Sequence, residues 1–296
     1  MAAALGAARA QDSAAAVMPA PRRAIKRAVK YGMVGDGAGL AEKFALLADL
    51  GYDGVELDSP NDFDPDDVLA AKDRSGLAIP GVVDAWHWRY TLGDPDPAVR
   101  AKGRAGLERA LRDAKLYGAT TVLLVPGVVD ARMHYADVHT RSRAEITTLV
   151  PLAEELGVAI AFENVWNHFL LSPLEAAAYV DSFKSAAVGW YLDLGNLVRN
   201  AWPEHWVRTL GARILKLDAK DYSRSKRDDE GLWRGFDVEI GAGDVDWPRT
   251  MAALDDIGYS ARPDAWMTAE VGGGDRARLA QILAQMDHVL AAQAAR

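Results

Sequence analysis

The sequence contains no cysteine and only six histidines among its 296 residues. The absence of thiols excludes disulfide scaffolds, cysteine-based zinc sites and thiolate nucleophiles. No stretch has the roughly 20 consecutive apolar residues that cross a bilayer. The formal charge of −8 at pH 7 argues against a surface that neutralises a phosphate backbone. We therefore expect neither a membrane nor a nucleic acid as a partner.

What the chain does contain is the composition of a globular protein, with 50% hydrophobic and 26% charged residues. Its first 28 residues are rich in alanine and include Ala-Arg-Ala-Gln, which resembles a signal-peptidase site but lacks the usual basic start. We predict a disordered or processed leader at residues 1–28 and one catalytic domain at residues 29–296. We expect a cytoplasmic location, with export as the alternative if the leader is a truncated signal peptide.

From residue 30 onward, short apolar runs alternate with amphipathic stretches, which is typical of repeated strand–helix units. Eight such units in a chain of this length predict an α/β fold, a single (β/α)₈ TIM barrel. An open doubly wound sheet would require a glycine-rich dinucleotide turn after the first strand, and "GDGAG" at residues 35–39 lacks that spacing. The predicted strands are residues 30–34, 54–57, 77–83, 120–127, 157–164, 188–196, 212–221 and 264–271. The main predicted helices are residues 39–52, 65–75, 97–117, 141–156, 172–183, 203–210, 247–259 and 275–294.

Four consecutive predicted strands each end on a carboxylate. In a barrel the carboxyl ends of the strands meet on one face, and carboxylates brought together there repel one another unless a cation lies among them. Mg²⁺ and Mn²⁺ prefer oxygen ligands, so the pattern predicts one divalent metal ion. Each carboxylate taken alone could instead pair with a basic residue or cap a helix. The four residues are Glu163, Asp193, Asp218 and Glu270.

The motifs around these carboxylates are "AFEN", "YLDLGN", "LKLDAKD" and "TAEV". They resemble the xylose-isomerase-like barrels, particularly the ketose 3-epimerases and hydroxypyruvate-isomerase-like sugar isomerases. The resemblance implies a metal held by two glutamates, an aspartate and a histidine, with both glutamates also handling the proton. It assigns Glu163 and Glu270 to both roles and Asp193 to the metal, while Asp218 stands at the histidine position. A homo-oligomer is also implied by the resemblance.

Residues near the strand ends are candidates for binding a polyol. "DAWHWRY" at residues 84–90 places a histidine between two tryptophans, which could stack on a sugar or simply pack a loop over the barrel. Whether the substrate carries phosphate stays open, because "GGGD" and the basic residues after strand seven are offset by nearby acidic residues. The candidates are Glu56, Trp86, His87, Trp88, Asn164, Asn196, Lys220 and Arg224, of which Glu56 and Arg224 rest on the resemblance.

The expected function is a metal-dependent sugar isomerase or epimerase that acts on a ketose or related keto-sugar through an enediolate. Strands five and eight lie nearly opposite one another in a barrel, so Glu163 and Glu270 could address the two faces of a sugar. One alternative is a dehydratase or lyase of a keto-sugar or keto-glycoside that uses the same metal site. Another is a catalytically inactive sugar-binding barrel. A phosphodiesterase with three zinc ions is disfavoured by the small number of histidines.

Overall fold

The computed structural model describes residues 22–294, and within them eight parallel strands close into a barrel in chain order. Helices lie between the strands, so the predicted single (β/α)₈ barrel is confirmed. The part of the predicted leader at residues 1–21 lies outside the described residues. The strands β1 to β8 are Lys26–Lys30, Gly54–Ser59, Gly81–Asp84, Thr121–Leu124, Ala159–Glu163, Val188–Asp193, Ile214–Ala219 and Trp266–Ala269.

The helices begin and end on residues suited to those positions. Asp64 caps the start of α2 and Asp96 that of α3, each with a proline in the first turn. Gly51 and Gly118 end α1 and α3 in the left-handed region, at φ 93° and 79°. None of the helices between residues 22 and 294 is long and apolar enough to cross a membrane. The helices α1 to α11 are Leu40–Leu50, Pro65–Ser75, Pro97–Tyr117, Tyr135–Thr147, Val150–Leu156, Pro173–Asp181, Leu194–Val198, Pro203–Leu210, Arg224–Glu230, Trp247–Asp256 and Arg276–Leu290.

The main apolar core includes side chains from both strands and helices, such as Val55 of β2 and Leu107 of α3. The barrel also holds buried polar groups. Glu56 is buried, and a Cβ on Gly81 of β3 would come within 2.6 Å of its carboxylate. The absence of a side chain at Gly81 therefore leaves room for a charged group beneath the strand ends.

Several predicted boundaries were wrong. The first strand is Lys26–Lys30 rather than residues 30–34, because Tyr31–Met33 turn as a 3₁₀ helix, and the barrel thus begins before the predicted domain start at residue 29. The predicted helix at residues 141–156 is two helices, α4 and α5. Pro151 lies in the first turn of α5, where the backbone N–H that it lacks is not needed.

Candidate active site

A cavity of about 680 Å³ opens at the carboxyl ends of the strands, where TIM barrels carry their chemistry. Carboxylates and one lysine contribute its polar surface, and aromatic side chains contribute much of the rest. A volume of this size is ordinary for a site that encloses a small molecule. The lining residues on which the argument depends are Asp58, Asp84, His87, Trp88, Leu123, Glu163, Trp166, Asn196, Lys220, Trp233, Phe236, Glu270 and Gly272.

The structure brings together the four carboxylates that end strands β5 to β8. One oxygen from each of Glu163, Asp193, Asp218 and Glu270 lies within 4.8 Å of the others. The register explains part of this convergence, because Asp193 of β6 is paired directly with Asp218 of β7. The first three residues are buried, whereas the Glu270 side chain is 38% exposed. The cluster therefore has one side that faces the cavity.

Two lysines lie among these carboxylates. Lys220 Nζ is 2.9 Å from Asp193 Oδ2 and 2.8 Å from Glu270 Oε2. Lys30 Nζ is 2.8 Å from Glu56 Oε2 and 3.1 Å from Asp218 Oδ1. Sequence reasoning missed Lys30, because its place at the end of β1, in register with Glu56 of β2, follows only from the observed strand.

The two glutamates of the cluster differ in proton affinity. Burial raises the pKa of Glu163 well above its usual range, and the negative charges of Glu270 and Asp218 add to this effect. Burial would also raise the pKa of Glu270, but the ammonium groups of Lys220 and Lys30 outweigh it and lower that pKa to about 2. The surroundings of the site thus shift the pKa values of its two glutamates in opposite directions.

The donor set fits a hard divalent cation. Asp193 Oδ2 meets the Lys220 ammonium without the alignment of a hydrogen bond, and neither oxygen of buried Asp218 accepts a hydrogen bond from the described residues. Asp218 Oδ2 also has no ion pair among the described residues, and a buried oxygen without any partner is uncommon. Oxygen-only ligands suit Mg²⁺ or Mn²⁺ better than a soft metal. Glu163, Asp193, Asp218 and Glu270 could hold such an ion.

Two asparagines fix the geometry of Asp193. Asn164 donates from Nδ2 to the Asp193 carbonyl at 2.7 Å and accepts from its backbone N–H at 3.1 Å. The Asn196 backbone N–H donates to Asp193 Oδ1 at 2.7 Å. Asn196 also lines the cavity, whereas Asn164 does not. Asn164 therefore joins the ends of β5 and β6, and Asn196 stays beside the ligand space.

His87 and Trp88 lie in the cavity wall, but Trp86 does not. The Val125 N–H donates to His87 Nδ1 at 3.3 Å, and burial lowers the pKa of His87 to about 4. The imidazole is therefore neutral, with its proton on Nε2 available to a hydroxyl. The Trp86 ring packs instead on α3, where a Cβ at Gly106 would come within 3.0 Å of it.

Two other candidates lie outside the described cavity wall. The Glu56 carboxylate is inside the barrel and accepts from the Tyr191 hydroxyl at 2.6 Å. The Arg224 guanidinium donates to the carbonyls of Val198 and Ala201, each at 3.0 Å. Both groups are therefore committed to protein partners.

Sequence reasoning missed an aromatic wall of the cavity, formed by Trp166, Trp233 and Phe236. Trp166 follows β5, and its ring centroid lies 4.8 Å from that of Trp233 and 4.9 Å from that of Phe236. Trp233 and Phe236 belong to the long segment after β7. The stretch "GLWRGF" at residues 231–236 was the available signal, since aromatics in a glycine-containing loop next to a site often bind ligand.

One buried carboxylate anchors this long segment. Asp221 accepts hydrogen bonds at 2.9 to 3.1 Å from the backbone N–H groups of Tyr222, Gly241 and Val245 and from the Trp247 indole. Four donors to one carboxylate bring the start and the end of the segment together. The Asp221 anchor thus positions the aromatic wall from outside the carboxylate cluster.

A closed parallel barrel with a carboxylate cluster at its strand ends defines a TIM barrel with a candidate metal site. The family described as xylose isomerase-like TIM barrel matches residues 44–291, and the chain belongs to that family, as its motifs predicted.

Curated relatives include an L-ribulose-5-phosphate 3-epimerase, UlaE, of Escherichia coli O1:K1, which is 27% identical over 232 residues. That alignment covers 74% of this chain and 78% of the relative. The Salmonella typhi protein of the same name is 26% identical over 229 residues, with the same coverage of both chains.

Solved structures share the fold at low identity. A D-tagatose 3-epimerase-like protein aligns with a TM-score of 0.74 and 18% identity, over 90% of this chain and 98% of its own. An L-ribulose 3-epimerase aligns with a TM-score of 0.72 and 17% identity, over 90% and 94% of the two chains. These two structural similarities support the barrel fold.

Proposed function

We propose that this protein is a divalent-metal-dependent sugar epimerase or isomerase that acts on a ketose or related keto-sugar through an enediolate. The observation that carries the proposal is the convergence of Glu163, Asp193, Asp218 and Glu270 beside a sugar-sized cavity. The curated relatives, which are named as epimerases, support the same reaction class.

The difficult step in such a reaction is removal of a proton from the carbon next to a carbonyl. A Mn²⁺ or Mg²⁺ ion held by the four carboxylates would supply the positive charge that stabilises an enediolate. Glu270 is ionised and partly exposed to the cavity, so it accepts the proton. The raised pKa of Glu163 suits it to return a proton from the other strand end.

The remaining groups orient the sugar. Neutral His87 offers Nε2–H to a hydroxyl, and the Asn196 amide lies 3.5 Å from Glu163 Oε1 at the same wall. Leu123 and the aromatic rings give part of the cavity an apolar surface.

The proposal is tested by proton exchange in D₂O. The protein, loaded with Mn²⁺ or Mg²⁺, is incubated with free, phosphorylated and glycosylated ketoses, and deuterium next to the carbonyl is followed by NMR. Glu270→Gln should slow the exchange by about 10² to 10⁴-fold, the usual contribution of a positioned acid or base. An inverted carbon identifies an epimerase, an aldose an isomerase, and a lost substituent a lyase.

Glu155→Gln is the matched control, because Glu155 is exposed on α5 and should exchange at the wild-type rate. Absence of exchange across the panel, while Mn²⁺ still raises the melting temperature, would contradict enediolate chemistry on ketoses. Equal exchange in Glu270→Gln and wild type would remove Glu270 from the proton transfer.

A further inference from the structure

We propose that the cavity selects an uncharged keto-sugar that carries a second ring, stacked on the aromatic wall, and that it rejects sugar phosphates. This inference rests on the proposed function and specifies its substrate class. Three observations support the inference. They are the charges around the cavity, the protein partners that already engage the groups able to bind phosphate, and the exposed tryptophans.

The charge of the cavity opposes a phosphate. Among the described lining residues, Lys220 is the one cation, and it already bridges Asp193 and Glu270. The acidic lining residues are Asp58, Asp84, Glu163 and Glu270. A phosphate dianion would lose its hydration here beside these carboxyl groups, which is costly unless a free cation meets it.

Barrels often bind phosphate on backbone N–H groups after the last strand, and here protein acceptors already take several of the N–H groups in and before the first turn of α11. The Arg276 N–H donates to Asp36 Oδ2 at 2.7 Å, and the Arg278 N–H donates to Asp275 Oδ1 at 2.9 Å. The Gly274 N–H donates to the Met33 carbonyl at 3.0 Å. Carboxylates of the protein thus occupy the first turn of α11 in place of a ligand anion.

The basic residues after β7 are also engaged. The Arg224 guanidinium donates to the carbonyls of Val198 and Ala201. The Arg227 guanidinium donates to the Asp228 carboxylate and to the Arg199 carbonyl. These contacts support the rejection of phosphate, because neither Arg224 nor Arg227 lines the cavity.

Aromatic faces form part of the cavity wall instead. The Trp233 side chain is 68% exposed and that of Trp88 is 52% exposed, although both line the cavity. Large exposed aromatics that border a cavity mark a binding surface, and their faces match the C–H faces of a sugar ring. A cavity of about 680 Å³ exceeds the volume of one hexose, so a second ring can reach Trp233.

Binding of matched ketoses tests the inference by isothermal titration of the Mn²⁺-loaded full chain. Fructose is the reference, and fructose 6-phosphate adds a charge to it. Isomaltulose carries a glucose ring on the fructose oxygen that bears the phosphate in fructose 6-phosphate, and lactulose carries a galactose ring on a different oxygen. We expect at least one disaccharide to bind 10-fold or more tightly than fructose, and fructose 6-phosphate to bind more weakly than fructose. Any other ranking, or no binding by any of the four, overturns the inference.

Two tryptophan variants locate the second ring. Trp233→Ala should reduce the ratio of disaccharide to fructose affinity at least 10-fold. Trp202→Ala is the matched control, since Trp202 is 56% exposed but does not line the cavity, and it should keep the wild-type ratio. An unchanged ratio in Trp233→Ala overturns the inference. If ketoses exchange deuterium without this ranking, the proposed function stands and only the substrate class fails.

Discussion

Two half-buried lysines of this barrel make the same kind of bridge in different surroundings. Lys30 joins Glu56 to Asp218, and both carboxylates are fully buried. Lys220 joins Asp193 to Glu270, and the Glu270 side chain is 38% exposed. Lys220 lines the cavity, whereas Lys30 does not.

The two lysines therefore differ in role. Lys30 is a structural counter-ion, whereas Lys220 is one that a ligand can displace. Burial lowers the pKa of Lys30, but the charges of Asp218 and Glu56 outweigh it and raise that pKa well above its ordinary value. Lys30 is thus a permanent cation inside the barrel. Lys220 contacts two candidate metal ligands from the cavity side, so an arriving metal ion or sugar can take over its contacts.

The largest expected effect is on the stability of Lys30→Met. Removing the ammonium leaves Glu56 and Asp218 buried without their cation, which should lower the free energy of unfolding by about 3–5 kcal/mol. Urea unfolding at pH 7 in EDTA measures this change in the free energy of unfolding. Adding Asp218→Asn to Lys30→Met should recover part of the loss, because one of the uncompensated charges is removed.

Lys26→Met is the matched control for Lys30→Met, because Lys26 lies on the same strand with an exposed side chain. It should change the free energy of unfolding by less than about 1 kcal/mol. Equal effects of the two substitutions would show that Lys30 is not the counter-ion described here.

A smaller effect is expected for Lys220→Met. Because Glu270 is partly solvated, the loss of stability in EDTA should be only about 1–3 kcal/mol. The same substitution removes a cation that competes for Asp193 and Glu270, so calorimetry should show at least 10-fold tighter Mn²⁺ binding. Weaker Mn²⁺ binding in Lys220→Met would contradict the displacement of the Lys220 ammonium by the metal ion.

The smallest effect concerns a third lysine, Lys216 of β7, which is buried and for which no ion pair occurs among the described residues. Its Nζ lies 3.4 Å from the Asp264 carbonyl, and burial lowers its pKa from 10.5 to about 8. The folded chain therefore resists protonation of Lys216. This cost is fully present below pH 8 and disappears as the pH rises through 10.5.

Lys216→Met should consequently raise the free energy of unfolding by about 1–2 kcal/mol at pH 6, and the gain should vanish near pH 10.5. Urea unfolding of both proteins at several pH values measures the difference. A gain that is independent of pH would assign the effect to packing of the methionine rather than to the charge.

The fold and the four carboxylates could be predicted from sequence because both depend on local patterns. Apolar runs of strand length alternate with amphipathic stretches, and a carboxylate directly after such a run must lie at the strand's carboxyl end. The lysine bridges could not be predicted in the same way. Placing Lys30 against Glu56 required the register of β1, which was misassigned because the apolar residues of 30–34 obscured the strand at Lys26–Lys30.

Contacts made by long segments were also beyond sequence reasoning. Arg224 was predicted from the family resemblance to bind substrate, but it begins α9, and its guanidinium meets the carbonyls of Val198 and Ala201. The aromatic wall was missed because Trp166 and Trp233 are far apart in the chain and meet only through the folding of residues 222–246. Such contacts depend on tertiary packing rather than on periodicity.

The Asp221 anchor has a consequence for how such a barrel can change its substrate. Because it fixes both ends of residues 222–246 through hydrogen bonds to Gly241, Val245 and Trp247, the middle of that segment can vary in length and sequence without moving Asp193 or Asp218. Loop grafting between members of the family could therefore alter which sugars are accepted, while the carboxylates at the strand ends are inherited intact.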